Sequence, residues 1–266
     1  MSKEYDLGNI KIYVEDTYGA MSAKAAEIFV TNLNNKPDGV YGFATGSTPI
    51  GLYKELIKKN QNGEINFSGI TTYNLDEYYP IARENDQSYD YFMREKLFNH
   101  IDINGDNINL PNGQAEDPAK ECFEYEEKIR ASGGIDLQIL GIGANGHIGF
   151  NEPDTHFAKN TRHISLAEST IEANSRFFES ADLVPRHALT MGIKTIMQAK
   201  KILLVVNSVK KSEILNSALF GDITPDVPAS ILQLHPDVSV IIDIEAASLL
   251  DAKKLEEETI GKSKIR

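Results

Sequence analysis

The chain has 266 residues, 41% of them hydrophobic, and a formal charge of -12. That length suits one large α/β domain with a substantial core and is short for two. The acidic balance argues against DNA or RNA as a partner, because phosphate backbones are met by Lys and Arg. A single cysteine, Cys122, excludes an intramolecular disulfide and a Cys-rich metal site. The first residues lack the basic-then-apolar order of a leader, and no run of about 18 apolar residues could span a bilayer. The expectation is a cytoplasmic protein with no membrane partner.

In chain order, residues 10–14 read as a strand, and Met21, Ala25, Ile28, Phe29 and Leu33 then recur at helical spacing. A strand over 40–44 leads to a helix carrying Leu52, Tyr53, Leu56 and Ile57, and a further strand covers 70–75. The second half repeats the alternation: helix 118–131, strands 137–140 and 202–206, helix 211–219 and strand 238–242. Continuously apolar strands between helices predict a mostly parallel sheet flanked by helices on both faces, an open Rossmann-like α/β sandwich. The whole of 1–266 reads as one domain, with a charged tail from about 251 loosely attached. Ligands of such sheets bind beyond the carboxyl ends of the strands. Chemistry is therefore sought just after each strand.

Three segments answer to that. After the strand 40–44, the turn Thr45-Gly46-Ser47-Thr48 leads into a helix, with Thr48 expected as N-cap and Pro49 as first helical residue. It is either an ordinary, well-capped turn or an anion site built from backbone N–H groups and a helix dipole. After the strand 70–75 stand two adjacent carboxylates, Asp76 and Glu77, which point to opposite sides of an extended backbone. Either can be a general base or a helix cap, and spacing does not choose between them.

The third segment, Gly141-Ile142-Gly143-Ala144-Asn145-Gly146-His147-Ile148-Gly149-Phe150-Asn151-Glu152-Pro153, literally contains G-x-G-x-x-G. Gly149 and Pro153 interrupt the helix that a dinucleotide site requires, so the glycines instead suit close approach of backbone to a substrate. Asn145, His147 and Glu152 place an amide, an imidazole and a carboxylate within a few residues, a proton-moving group with two candidate orienters. A metal there would need about three protein ligands, and no H-x-x-x-H or Cys-rich spacing supplies them. Neither metal nor cofactor is expected. Arg176 and Lys210 are further cations that could hold a phosphate.

Together these segments resemble the glucosamine-6-phosphate deaminase (glucosamine/galactosamine-6-phosphate isomerase) family over nearly the whole chain. The likeness rests on Thr45-Gly46-Ser47-Thr48-Pro49, Asn74-Leu75-Asp76-Glu77-Tyr78, Gly146-His147-Ile148-Gly149-Phe150-Asn151-Glu152-Pro153, Ala173-Asn174-Ser175-Arg176-Phe177-Phe178 and Pro228-Ala229-Ser230-Ile231-Leu232-Gln233-Leu234-His235. It implies conversion of glucosamine 6-phosphate and water to fructose 6-phosphate and ammonia in amino-sugar catabolism. It also implies Asp76 as the base at C2, His147 opening the ring with Asn145 and Glu152, and Thr45, Gly46, Ser47, Thr48, Arg176 and Lys210 around the phosphate.

Some members carry Asp where Asn145 stands, and an amide orients His147 without offsetting an imidazolium's charge. Two other readings on a similar fold are a 6-phosphogluconolactonase-like hydrolase and a non-catalytic sugar-phosphate effector domain. The latter would bring a basic DNA-binding module that is not found here. Some bacterial deaminases of the family are activated by N-acetylglucosamine 6-phosphate at a subunit interface, through an Arg and a Lys two residues apart. The corresponding positions are Arg162 and Ile164, so little activation is expected. Monomer and homo-oligomer both remain open.

Overall fold

The computed structural model describes residues 2–175, Phe178, Ser180, 183–250 and Leu255, without the side chains of Ser169, Ala173 and Asn174. Arg176 and, apart from Leu255, the tail from 251 lie outside the described residues.

Eight strands form the main sheet: β1 (Lys3–Asp6), β2 (Ile10–Glu15), β3 (Val40–Phe43), β4 (Thr71–Asn74), β6 (Ile108–Asn109), β7 (Leu137–Leu140), β10 (Ile202–Val206) and β11 (Val238–Asp243). Their order is β1-β2-β11-β10-β7-β3-β4-β6, parallel throughout except for the edge pair β1 and β2. Every residue of β3, β7 and β10 is buried, Gln138 of the otherwise apolar β7 included. The six expected strands and the helices 118–131 and 211–219 all form, with ends within one residue of expectation.

Helices cover both faces. On one side Phe29 of α1 (Tyr18–Asn35) packs on Tyr41 and Phe43 of β3 with ring centroids 5.1 and 5.7 Å apart. Tyr53 of α2 (Ile50–Gln61) joins them at 5.9 Å from Phe43. Tyr73 of β4 lies in register with Gly42 and so points the other way, where it meets Tyr125 of α4 (Pro118–Ala131) edge-on. The remaining helices are α3 (Tyr89–Lys96), α5 (Glu168–Ser175), α6 (Ile193–Met197) and α7 (Ser212–Phe220).

A second, antiparallel sheet was not among the expected elements. β4 ends at Asn74, and after Leu75 the chain enters β5 (Asp76–Tyr79), which pairs with β9 (His187–Thr190) and through it with β8 (Arg162–Ser165). Tyr78, Ala188 and Ile164 lie in register and pack into a small apolar cluster with Ile81, Phe150, Leu166, Ile171 and Val184. Met191 N–H donates to Leu75 O at 2.7 Å, fastening the new sheet to the carboxyl end of β4.

The chain order reverses between β3 and β7, which are neighbours in the main sheet. Successive strands after β3 add on one side, through β4, and those after β7 add on the other, through β10 and β11. At such a point the connecting loops diverge and leave a crevice beyond the strand ends. The turn after β3 and the glycine-rich loop after β7 form its two sides.

Candidate active site

The turn after β3 is held from below. The Tyr53 hydroxyl, fully buried in α2, donates to Ala44 O at 2.5 Å and accepts from Ala44 N–H at 3.3 Å. Both backbone groups at the end of β3 are thereby satisfied. Gly46 and Ser47 are exposed above this anchor. The expected cap is corrected: α2 begins at Ile50 with Pro49 at the cap position, and Thr48 makes no capping bond. The Tyr18 hydroxyl accepts Gly51 N–H at 2.8 Å and donates to Thr48 O at 3.0 Å, which frees the Thr48 side chain. That side chain donates to Asn207 Oδ1 at 2.6 Å.

The two adjacent carboxylates have different surroundings. Glu77, 2% exposed, accepts backbone N–H groups from Tyr78, Tyr89 and Asp90 at 2.8 to 2.9 Å and so closes the amino end of α3. Burial raises its pKa to about 7 against the pull of those bonds. Asp76, 6% exposed, receives no hydrogen bond among the described residues. Burial first, and then the charge of Glu77, push it up to about 8. The acid bound to helix α3 is occupied, and the one beside it is not.

Asp76 faces the glycine-rich loop. A Cβ on Gly149, which has φ +59°, would stand 3.4 Å from Asp76 Oδ2 and 3.0 Å from Thr190 Oγ1. A side chain there would occupy the space in front of the carboxylate. Thr190 lies opposite Asp76 in the small sheet and accepts Phe150 N–H at 3.1 Å, holding the loop against β9. Asn151, 3% exposed, adds bonds to Ile148 O and Met191 O and accepts from Arg162 Nη1 at 2.7 Å.

Asn145, His147 and Glu152 converge in a hydrogen-bonded cluster. His147 Nδ1 lies 2.7 Å from Asn145 Oδ1 and 3.3 Å from Glu152 Oε2, and Asn145 Nδ2 donates to that same carboxylate oxygen at 2.5 Å. An amide oxygen only accepts, so Nδ1 carries the hydrogen and Nε2 keeps a free lone pair. Glu152 supplies the negative charge that an amide at 145 lacks. Burial alone would raise its pKa, but bonds from His147, Thr170 and Asn145 hold it at about 2. The imidazole folds back over Gly143, where an added Cβ would come within 2.1 Å of the ring. Gly143 is thus a steric requirement of the histidine's position.

On the far side, Lys210 follows β10 and is exposed, while its neighbour Lys211 is half-buried, which lowers its pKa. Among the described residues neither has an acidic ion-pair partner. Thr170, which donates to Glu152 Oε1 at 2.7 Å, and Asn207 were not foreseen from the sequence. Their partners are 18 and 159 positions away, and only the fold brings them together. The Pro228 to His235 segment is a support: Ala229 N–H donates to Gly146 O at 2.8 Å, and the fully buried His235 uses both ring nitrogens on backbone groups. Among the described residues no three His, Cys, Asp or Glu side chains converge as a metal site would require.

Residues 16–241 match the family model described as glucosamine-6-phosphate isomerases/6-phosphogluconolactonase. The chain belongs to that family. Within it, a glucosamine-6-phosphate deaminase of Clostridioides difficile is 53% identical over 244 residues, covering 92% of this chain and 98% of that protein. A solved monomeric glucosamine-6-phosphate deaminase superposes with a TM-score of 0.87 at 46% identity, over 90% of this chain and 99% of the other. The 6-phosphogluconolactonase of Trypanosoma brucei shares the family fold at a TM-score of 0.69 and 18% identity, over 90% and 98% of the two chains. The family's Rossmann-like fold is the one expected from the strand and helix pattern, and no helix among the described residues is long and apolar enough to cross a membrane.

Proposed function

We propose that the protein converts glucosamine 6-phosphate and water to fructose 6-phosphate and ammonia, as a cytoplasmic enzyme of amino-sugar breakdown. The observation that carries this reading is the pairing of a buried, unpartnered carboxylate, Asp76, with a histidine cluster across the loop from it. A lactone hydrolase needs no base at a carbon and so places less demand on such a carboxylate. The names of the closely similar relatives support the same substrate.

In this mechanism the open turn Thr45, Gly46, Ser47 and Thr48 takes the phosphate with its backbone N–H groups, and Lys210 and Arg176 add charge. His147 Nε2 accepts the proton of the anomeric hydroxyl and returns one to the ring oxygen, opening the sugar. Glu152 stabilises the imidazolium in between, and Asn145 keeps the ring oriented. Asp76 then removes the C2 proton and delivers it to C1. A pKa near 8 makes its carboxylate a far stronger base than an ordinary aspartate. With a proton passing from the amine to the C1 oxygen, that transfer leaves an imine at C2, to which water adds before ammonia leaves and a ketone remains.

The test is direct. Purified protein is incubated with glucosamine 6-phosphate, with free glucosamine and with 6-phosphogluconolactone, each with and without EDTA. Ammonia and fructose 6-phosphate are expected from the first alone, undiminished by chelator. Equal turnover of free glucosamine, hydrolysis of the lactone in place of deamination, or loss of activity to EDTA with rescue by a divalent ion would each overturn the reading.

A further inference from the structure

The bond from Thr48 Oγ1 to Asn207 Oδ1 joins the turn after β3 to the turn after β10. These strands are not neighbours, because β7 lies between them. Adjacent strands are about 4.8 Å apart, so the two strand ends are separated by roughly 10 Å. The Thr48 and Asn207 side chains therefore reach over the end of β7 to meet in a 2.6 Å bond. The crevice is bridged at that point.

The turn that carries Asn207 is itself held under strain. Ser208 has φ +83°, in the left-handed region that a residue with a side chain avoids. Its N–H is held by both carboxylate oxygens of Asp243 at 3.2 Å, and Asp243, 5% exposed at the end of β11, also accepts Ala246 N–H at 2.8 Å. Lys211 N–H closes the turn onto Ser208 O at 3.0 Å. Two tethers, one to β11 and one to the turn after β3, therefore fix where the backbone of Lys210 begins.

We propose that Asn207 is a positioning residue of the phosphate site. Through Thr48 it sets the separation between the open turn Thr45 to Thr48 and the lysine turn, so that backbone N–H groups from one side and the Lys210 ammonium from the other meet a single phosphate. The inference rests on the phosphate reading of those two turns. Its content is that the pair acts on substrate affinity, and that a bond 159 positions apart in sequence is part of the binding geometry.

Steady-state kinetics with glucosamine 6-phosphate, and competition by inorganic phosphate, test it in Asn207→Ala, Thr48→Val, Thr48→Ser and the double variant Thr48→Val/Asn207→Ala, beside Lys210→Ala. Loss of one neutral hydrogen bond corresponds to about a five- to tenfold rise in KM and in the phosphate inhibition constant. Asn207→Ala and Thr48→Val should each show that rise with kcat within about twofold of the parent. Thr48→Ser keeps the hydroxyl and should restore the parent KM. The double variant should be no worse than either single one, since both remove the same bond. Additive effects, or a lowered melting temperature with unchanged KM, would overturn the proposal and leave the pair a purely structural contact. If Lys210→Ala raises KM and the Asn207 and Thr48 variants do not, this inference alone fails. If phosphate does not compete with substrate in the parent and Lys210→Ala leaves KM unchanged, the phosphate reading fails and this inference falls with it.

Discussion

Asp136 lies at the amino edge of the main sheet and Asp76 just beyond its carboxyl edge, at the start of the small sheet, and the two have opposite surroundings. Asp136 precedes β7 at the amino edge, where it takes the ammonium groups of Lys36 and Lys200 at 2.8 and 2.7 Å and the backbone N–H of Val40 at 2.8 Å. Burial opposes its ionisation, but those bonds outweigh burial and hold its pKa below the ordinary aspartate value. It ties together the starts of β3, β7 and β10. Asp76, at the carboxyl edge, has burial without compensation and is pushed up to about 8. One carboxylate is compensated by its partners, and the other is buried without compensation, as the proposed base role requires. In a parallel α/β sheet the amino edge can be closed by such ties, and the carboxyl edge carries the chemistry.

The comparison breaks most visibly at Asp76. Asp76→Asn keeps the shape and removes the base, so kcat should fall by about 10²- to 10⁴-fold with substrate affinity close to the parent's. The same change should raise the melting temperature. An acid whose pKa rises from 3.8 unfolded to about 8 folded contributes stability below the unfolded value and loses it as pH rises toward 8. The gain from Asn should therefore be larger at pH 8 than at pH 5. An equal gain at pH 5 and at pH 8 would mean that Asp76 is already ionised in the folded protein over that whole range.

Glu152→Gln sharpens the contrast within the site. Held at about 2, Glu152 is charged at every working pH. Removing that charge leaves a protonated His147 with amide partners only, and kcat should drop by roughly ten- to a hundredfold. Unchanged kcat would assign ring opening to another group.

Asp136→Asn should do the reverse of Asp76→Asn: kcat unchanged and stability lower by about 1–2 kcal/mol, since both lysines are partly exposed. Its depressed pKa fixes the sign. The stabilisation is present above the unfolded value of 3.8 and is lost as pH falls through and below it, so parent and variant should converge in acid. A difference that persists there would point to packing in place of charge.

The smallest effect is expected from N-acetylglucosamine 6-phosphate. Arg162 is engaged with Asn151, and Ile164 packs against the apolar cluster of the small sheet. Rate curves should be hyperbolic and should shift by less than about twofold on its addition. Sigmoidal curves made hyperbolic by the ligand would show that an activator site survives without a lysine at 164.

Much of the fold was legible because the central strands of the main sheet are largely apolar and flanked by helical patterns. Ile202 to Val206, apolar throughout, and Leu137 to Leu140, apolar but for Gln138, read as short strands buried on both faces. The small antiparallel sheet was not legible, since Asp76-Glu77-Tyr78-Tyr79 and Arg162-His163-Ile164-Ser165 are polar, short and far apart in sequence, and only tertiary pairing makes them strands. In the site, the cluster of Asn145, His147 and Glu152 could be read from proximity along the chain. The division between Asp76 and Glu77 could not, because it depends on α3 arriving to occupy Glu77. Thr48 was misread as a cap for a related reason: Tyr18, thirty positions earlier, relieves it of that task.

The central claim is that Asp76 is the base at C2, and proton exchange at that carbon tests it most directly. Glucosamine 6-phosphate deuterated at C2 is incubated with parent and with Asp76→Asn under conditions where both bind substrate, and label at C2 is followed by NMR. The parent should strip the deuterium with a primary isotope effect on kcat, and Asp76→Asn should leave it in place while the substrate remains bound. Loss of deuterium from the variant at a rate close to the parent's would contradict the account.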